Sequence, residues 1–267
     1  MINTIWHISD SHGCHDRLSQ PSCPVWTMIH SGDMTNTGHI DEFKSFFDWL
    51  QNVKAENIIL VPGNHDRTLD PNNSFYDPNV VKYVKSVVES MPHVHLLINN
   101  SVTIAGMDFN NYKFYGTPYT PKHGVNWGFW YKDSLDAFLQ CDLIPDDVDV
   151  LITHGPAQGI RDYALSGVYA GCAALTTRLK NLQKIKAHCY GHIHETAGLD
   201  AELQGSAGNE FISSNGAIST GRYHSFISVL QLGRRGFHGN MFTINKTKGC
   251  VLTKLEQKRY NSSLANA

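Results

Sequence analysis

The sequence predicts an α/β protein with a mainly parallel or mixed sheet and helices packed outside it. Short β-prone apolar runs recur along the chain, and amphipathic stretches with recognisable helix caps fall between several of them. In addition, five of the apolar runs end abruptly in a polar cluster. Ligands bind at the carboxyl ends of strands in open α/β sheets, so the pattern marks a site as well as a fold.

The expected strands lie at residues 4–9, 25–30, 57–61, 95–98, 102–105, 113–116, 148–153, 188–190 and 210–213. Ile40, Phe43, Phe47 and Leu50 stand at helical spacing behind Thr37 and Gly38, with Asp41 and Glu42 in the first turn where the helix dipole favours acids. Asp77 and Pro78 open a second helix with Val80, Val84 and Val87 as its stripe, and Met91-Pro92 stops it. Asp133 caps a short third helix through Leu135, Phe138 and Leu139, and Cys172, Leu175, Leu179 and Leu182 mark a fourth. Residues 95–119 read as strand after strand with little helix between, which suggests a second, more antiparallel sheet.

The 267 residues show no repeat or linker, so one continuous domain is expected over 1–221, with 222–267 as a basic C-terminal extension packed on it or following it. The first part carries 14 basic and 23 acidic side chains (net −9), the extension 8 and 1 (net +7). Such a tail reads first as a solvated terminus or a strip on an acidic body, and nucleic acid is the less favoured partner. No apolar run approaches the roughly 20 residues of a membrane span. The first ten residues lack the basic start of a signal peptide, so the mature chain is expected to begin near Met1. Six cysteines without a C-x-x-C pair read as free thiols of a reducing compartment, with cytoplasm as the default.

The polar clusters carry the chemistry. They are Asp10-Ser11-His12, Ser31-Gly32-Asp33, Gly63-Asn64-His65-Asp66, His154-Gly155-Pro156 and Gly191-His192-Ile193-His194, each directly after an apolar run. Turn formation explains Gly32, Gly63 and Gly191 but does not call for the histidines beside them. Asp10, His12, Asp33, Asn64, His154, His192 and His194 together offer two carboxylates, one amide oxygen and four imidazoles. A mixed nitrogen and oxygen set without thiolate suits two ions such as Mn, Fe, Zn or Ni better than Ca or Mg. Of the 15 histidines, His7, His30, His93, His95 and His188 read as satisfied strand or surface residues. His15 alone of the rest is near enough in sequence to touch the site or a substrate.

The ordered set DSH, GD, GNHD, THGP and GHIH resembles the calcineurin-like metallophosphoesterases over Asp10 to His194. The finer wording, SDSHG, VPGNHD, GTPYTP, NWGF, LITHGP and GHIHE, looks like the small metallophosphodiesterases that include class III cyclic-nucleotide phosphodiesterases and animal metallophosphoesterase-domain proteins. The resemblance implies a four-layer αββα sandwich with a dinuclear site at the rim of two mixed sheets. It implies that Asp10, His12, Asp33 and His194 hold one divalent ion and Asp33, Asn64, His154 and His192 the other, with Mn, Fe or Zn foremost. It further implies that His65 faces the phosphate and assists the leaving group while Asp66 orients its ring. After about Gly216 the resemblance ends, and Gly233-Arg234-Arg235-Gly236 matches no motif of the family.

Two such ions can share a water, lower its pKa and clamp both oxygens of an in-line displacement at phosphorus. Two divalent ions against two carboxylates and a bridging hydroxide leave one positive charge, which a phosphodiester monoanion neutralises and a monoester dianion overshoots. The charge balance therefore points to a metal-dependent phosphodiesterase, and the resemblance implies small, cyclic nucleotides as its substrates, with no membrane partner and with oligomeric state left open. The alternatives are a phosphomonoesterase, protein phosphatase or nuclease of the same fold, or a catalytically weak regulatory module. A nuclease is disfavoured by the acidic body, and the regulatory module by the complete ligand set. Aromatics at Tyr119, Trp127, Phe129 and Trp130 suit base stacking and core packing about equally, while Arg161 and Asp162 read as a surface ion pair before a phosphate contact.

Overall fold

The computed structural model describes residues 2–204, 210–218, 239–246 and 249–252. The strands in chain order are β1 (Asn3–Ile8), β2 (Val25–His30), β3 (Ala55–Leu60), β4 (Val94–Leu96), β5 (Asn100–Ala105) and β6 (Asn111–Thr117). They continue with β7 (Val150–Thr153), β8 (Ala187–Tyr190), β9 (Gly198–Gln204), β10 (Glu210–Asn215), β11 (Asn240–Asn245) and β12 (Gly249–Leu252). One sheet has the order β12-β11-β1-β2-β3-β4 and the other β5-β6-β7-β8-β10-β9. The helices are α1 (Ile40–Leu50), α2 (Pro78–Ser90), α3 (Ser134–Asp142) and α4 (Ala173–Asn181).

Alternation along the strands creates four layers. Ile5, Ile29, Ile59 and Val61 of the first sheet meet Phe114, Val150, Ile152 and Cys189 of the second in one core. Trp6, Met28, Ile58 and Leu60 point the opposite way, onto Phe43, Phe47 and Leu50 of α1 and Val80 and Val84 of α2. Tyr115 and Leu151 turn from the inner core toward Ala137 and Cys141 of α3 and Leu175 and Leu179 of α4. Both faces of each central strand are covered, which is why these strands read as continuous apolar runs. The result is the αββα sandwich with two mixed sheets.

The second sheet is less antiparallel than the sequence suggests. β6, β7, β8 and β10 run parallel, with β5 and β9 antiparallel at its edges, and β4 belongs to the first sheet beside β3. The apolar stripe of α3 also differs from expectation. Leu135 is 67% exposed and Phe138 and Leu139 are exposed too, because the small residues Ala137 and Cys141, four apart, let the other face approach the sheet. Beyond residue 221, β11 pairs antiparallel with β1 and β12 with β11, so this stretch contributes strands to the first sheet. Residues 222–238, 247–248 and 253–267, including Gly233-Arg234-Arg235-Gly236, lie outside the described residues. Among the described residues no helix is long and apolar enough to cross a membrane.

Candidate metal centre

Five central strands deliver the polar clusters to one rim. Asp10 and His12 follow β1, Asp33 follows β2, Asn64 and His65 follow β3, His154 follows β7, and His192 and His194 follow β8. The loops are tied to one another through their backbones: Asp10 N donates to Gly32 O at 2.8 Å, His12 N to Asp33 O at 3.0 Å and Gly191 N to His154 O at 2.9 Å. Beneath them His7 joins the two sheets, with Nδ1 2.6 Å from Ser214 Oγ and Nε2 2.9 Å from Ser31 Oγ.

Five of the seven candidate ligands, Asp10, His12, Asp33, His154 and His194, bring donor atoms together, and Asn64 and His192 stand beside His154. Donor atoms of Asp10, His12 and His194 lie within 4.8 Å of one another, as do those of Asp10, Asp33 and His154, and those of His12, Asp33 and His65. His194 Nε2 is 3.0 Å from Asp10 Oδ1, and His154 Nε2 is 2.8 Å from Asn64 Oδ1 and 3.4 Å from Asp33 Oδ2. The His192 ring stands 5.0 Å from that of His154, and His192 N donates to both carboxylate oxygens of Asp10. Asp33 is common to both sides of the cluster, where a bridging ligand belongs.

Three features show that this donor set fits a pair of cations. His12 Nε2 faces His194 Nε2 at 3.3 Å, a pairing of two ring nitrogens that a shared cation satisfies directly. Asp10, His12, Asp33 and His192 all have positive φ, at 53°, 42°, 56° and 68°. Non-glycine residues in this region cost about 1–3 kcal/mol each and persist where surrounding structure holds them for function. Finally, a Cβ at Gly63 would lie 2.2 Å from Asp33 Oδ1, and one at Gly191 2.0 Å from Asp10 Oδ2, so only glycine lets these loops close around the carboxylates.

The protonation states divide the donor set, and a proton on His154 or His194 would have to leave before either ring could ligate. Burial opposes charge on Asp10 and Asp33, yet His194 beside the first and His154 beside the second hold both carboxyls well below their usual range. In turn, despite burial, Asp33 pushes His154 up to about 9, and Asp10 raises His194. Burial keeps His12 down at about 4 and His192 well below its ordinary value, so both present neutral imidazoles suited to ligation.

Several expectations change in detail. Asp66 does not orient His65. Its carboxylate accepts from Gly63 N, Met34 N, Thr35 N and Thr35 Oγ1, binding the β3 loop to the β2 loop. His65 Nδ1 is held by the carbonyl of Asn36 at 2.7 Å. His15 is buried away from the rim against Phe46 and Trp49, with Nε2 3.2 Å from Ser45 Oγ. Arg161 pairs with Asp200 through two 2.6 Å bonds, and its neighbour Asp162 accepts from Gly171 N. Phe129 is buried in the core, whereas the Trp127 indole stacks on His65.

His123 is a site residue that sequence reasoning missed. Its ring lies 4.4 Å from His192, on the loop that also carries Trp127. It stands between GTPYTP and NWGF but belongs to neither, and only the folded path of residues 121–130 brings it to the rim.

A family model described as calcineurin-like phosphoesterase matches residues 3–196. The human metallophosphoesterase domain-containing protein 1 is 31% identical over 206 residues, which are 73% of this chain and 61% of that protein. This chain therefore spans less than two thirds of that relative's length. A UPF0046 protein of Caenorhabditis elegans is 27% identical over 202 residues, covering 72% of this chain and 69% of its own. Among solved structures, phosphopantetheinyl hydrolase from Mycobacterium tuberculosis superposes with a TM-score of 0.52 at 15% identity, over 81% of this chain and 89% of that one, a likeness of fold. All the candidate ligands lie inside the matched 3–196 stretch, and the chain belongs to the calcineurin-like phosphoesterase family.

Proposed function

We propose that the protein hydrolyses phosphodiester bonds of small nucleotides, foremost 2',3'- or 3',5'-cyclic nucleotides, with two divalent ions. Asp10, His12, Asp33 and His194 would hold one ion, and Asp33, Asn64, His154 and His192 the other. The carrying observation is the position of Asp33, whose carboxylate lies within 4.8 Å of donor atoms on both sides of the cluster. Bound there, the ions would lower the pKa of a water toward about 7 and offset charge on the phosphoryl oxygens.

The chain's own residues do the rest. Asn36 O can only accept, so His65 Nδ1 is the donor of that bond, and Nε2 is the nitrogen that exchanges a proton with the leaving oxygen. Asp66 holds the loop on which His65 sits. A preference for diesters follows from charge: the ligand set contains two carboxylates, and with two divalent ions and a hydroxide this leaves one positive charge, one short of a monoester dianion. Among the described residues Arg67 donates to Thr37 O and Asn126 O, and Arg161 pairs with Asp200. The mixed donor set suits Mn, Fe or Zn. Five described cysteines are free thiols, in keeping with a cytoplasmic setting.

The test is turnover of bis(p-nitrophenyl) phosphate and p-nitrophenyl phosphate side by side, followed by a panel of cyclic nucleotides, dinucleotides and phosphoproteins, all with Mn-loaded protein. The expected kcat/KM for the diester exceeds that for the monoester at least about tenfold, and His65→Ala and Asn64→Ala lower it by about 100-fold. A strong monoester preference would favour a phosphomonoesterase. Fewer than two metals per chain with no turnover would favour a regulatory module.

A further inference from the structure

Helices α3 and α4 pack against each other outside the second sheet, and each brings a cysteine to the contact. Cys141 stands in the last turn of α3, and Cys172 is the residue that caps α4. Both are buried in one core with Ala137, Leu175 and Leu179, and the Tyr131 hydroxyl meets both thiols, Cys141 Sγ at 4.0 Å. Among the described cysteines no third joins them: Cys189 faces the core on the other side of the sheet, and Cys14 and Cys23 lie between β1 and β2.

The two thiols are unequal. Leu175 N donates to Cys172 Sγ at 3.4 Å, so the sulfur takes the place of a capping oxygen at a helix N-terminus, where negative charge is favoured. Cys141 sits at the opposite end of its own helix, where the dipole favours the protonated thiol. Cys172 also lines a cavity of about 380 Å³ with Phe138, Gly171 and Ala174, which gives a small reagent a way in. Core packing explains two small buried side chains, but it does not call for a sulfur in a capping position at the wall of a cavity. An activated thiol beside a protonated, buried one is the arrangement of an attacking and a resolving cysteine.

We propose that Cys141 and Cys172 are an oxidisable dithiol, which closes to a disulfide between α3 and α4 when a low-molecular-weight disulfide enters the cavity. The Cys172 thiolate attacks one sulfur of the reagent, forming a mixed disulfide and expelling one thiolate. Cys141 then gives its proton to solvent and attacks the Cys172 sulfur, which forms the Cys141–Cys172 bond and expels the second thiolate. Two protein thiols are oxidised, and one reagent disulfide is reduced to two thiols. The pair is also tied to the metal centre. Cys172 N donates to Pro156 O at 3.0 Å and Gln158 N to Cys172 O at 3.2 Å, so a movement of Cys172 toward α3 is passed to the loop that carries His154. Only this coupling rests on the metal-centre reading.

The experiment incubates the full, Mn-loaded chain with bis(2-hydroxyethyl) disulfide at neutral pH and maps its peptides without reduction, before and after dithiothreitol. Wild type is compared with Cys141→Ser and with Cys172→Ser, in which a hydroxyl keeps the cap of α4. The expected result in wild type is a peptide linked through Cys141 and Cys172 that dithiothreitol separates. In Cys141→Ser the reagent stays on Cys172 as a mixed disulfide, and in Cys172→Ser Cys141 stays unmodified. Free Mn, followed by electron paramagnetic resonance, should show affinity about tenfold weaker in the cross-linked protein and restored on reduction. No linked peptide in wild type, or reagent on Cys141 in Cys172→Ser, would overturn the dithiol. Unchanged Mn affinity after cross-linking would overturn its coupling to the His154 loop. The linked peptide in a chain that binds no Mn would sustain the dithiol and count against the metal-centre reading alone.

Discussion

Trp127 lies flat on His65, with ring centroids 3.9 Å apart and planes 29° from parallel. The two residues come from different sheets: His65 follows β3 of the first, and Trp127 sits in the loop after β6 of the second. The imidazole is fixed twice, by this stack and by Asn36 O on Nδ1. A proton-transfer group held in this way spends little of its time misdirected.

Trp127→Ala is expected to lower kcat by about 10- to 100-fold for diesters with poor alkoxide leaving groups and by much less for p-nitrophenoxide, which leaves without protonation. Trp127→Phe keeps a ring on the imidazole and restores most of the loss. A series of aryl and alkyl diesters checks this, and an equal fall across the series would reduce Trp127 to a packing residue.

Gly63→Ala should eject the metals. Its Cβ would fall 2.2 Å from Asp33 Oδ1 and 2.7 Å from His154 Cε1, displacing both side chains from their shared position. Metal per chain after dialysis is expected to fall below one ion, with the protein still folded by circular dichroism. Retention of two ions would show that the loop yields at no cost to the site.

Asp66→Ala should destabilise the fold by about 2 kcal/mol or more, since three backbone N–H groups and the Thr35 hydroxyl lose their buried acceptor. Asp66→Asn, which retains one oxygen, should lose less. Urea unfolding with the metal removed separates this effect from ligand binding. A destabilisation under about 0.5 kcal/mol would contradict the bracing role.

Cys172 is expected to alkylate at unusually low pH. The neighbouring Cys141 thiol and the Leu175 N–H, which meets Sγ at 3.4 Å, outweigh burial and hold the thiol below its ordinary range. A depressed pKa means that the reactive thiolate is already present where exposed thiols, with a pKa of about 8.5, are still protonated. A cavity of about 380 Å³ lined by Cys172 admits a small reagent. Peptide mapping of iodoacetamide adducts across pH should place the Cys172 midpoint below about 8.5, the value of a free cysteine peptide run alongside. A midpoint at or above that of the peptide would contradict it.

Much of the site was legible in the sequence because its signal is local. A strand that ends in Asp-x-His or Gly-Asn-His-Asp keeps its ligands within a few residues, and the parallel topology brings all such ends to one rim. What was not legible depends on cross-chain geometry. His123 reaches the rim only through the folded path of its loop, and Asn36, not the adjacent Asp66, holds His65 because the β2 and β3 loops face each other. The α3 stripe misled because residue size, and not hydrophobicity alone, decided which face packs: Ala137 and Cys141 are inside while Leu135 is outside. β9 was passed over although Leu199, Ala201 and Leu203 alternate with Asp200, Glu202 and Gln204, the pattern of a half-buried edge strand. β11 and β12 lay in the basic stretch that composition set apart from the domain.

The most direct measurement is native mass spectrometry of the protein exchanged into Mn, for wild type and for Asp33→Ala. The central claim is that the motif loops seat two cations that share the Asp33 carboxylate. It predicts two ions per wild-type chain and one or none in the variant. No ions in wild type at saturating Mn, or two ions retained after loss of the shared carboxylate, would contradict it.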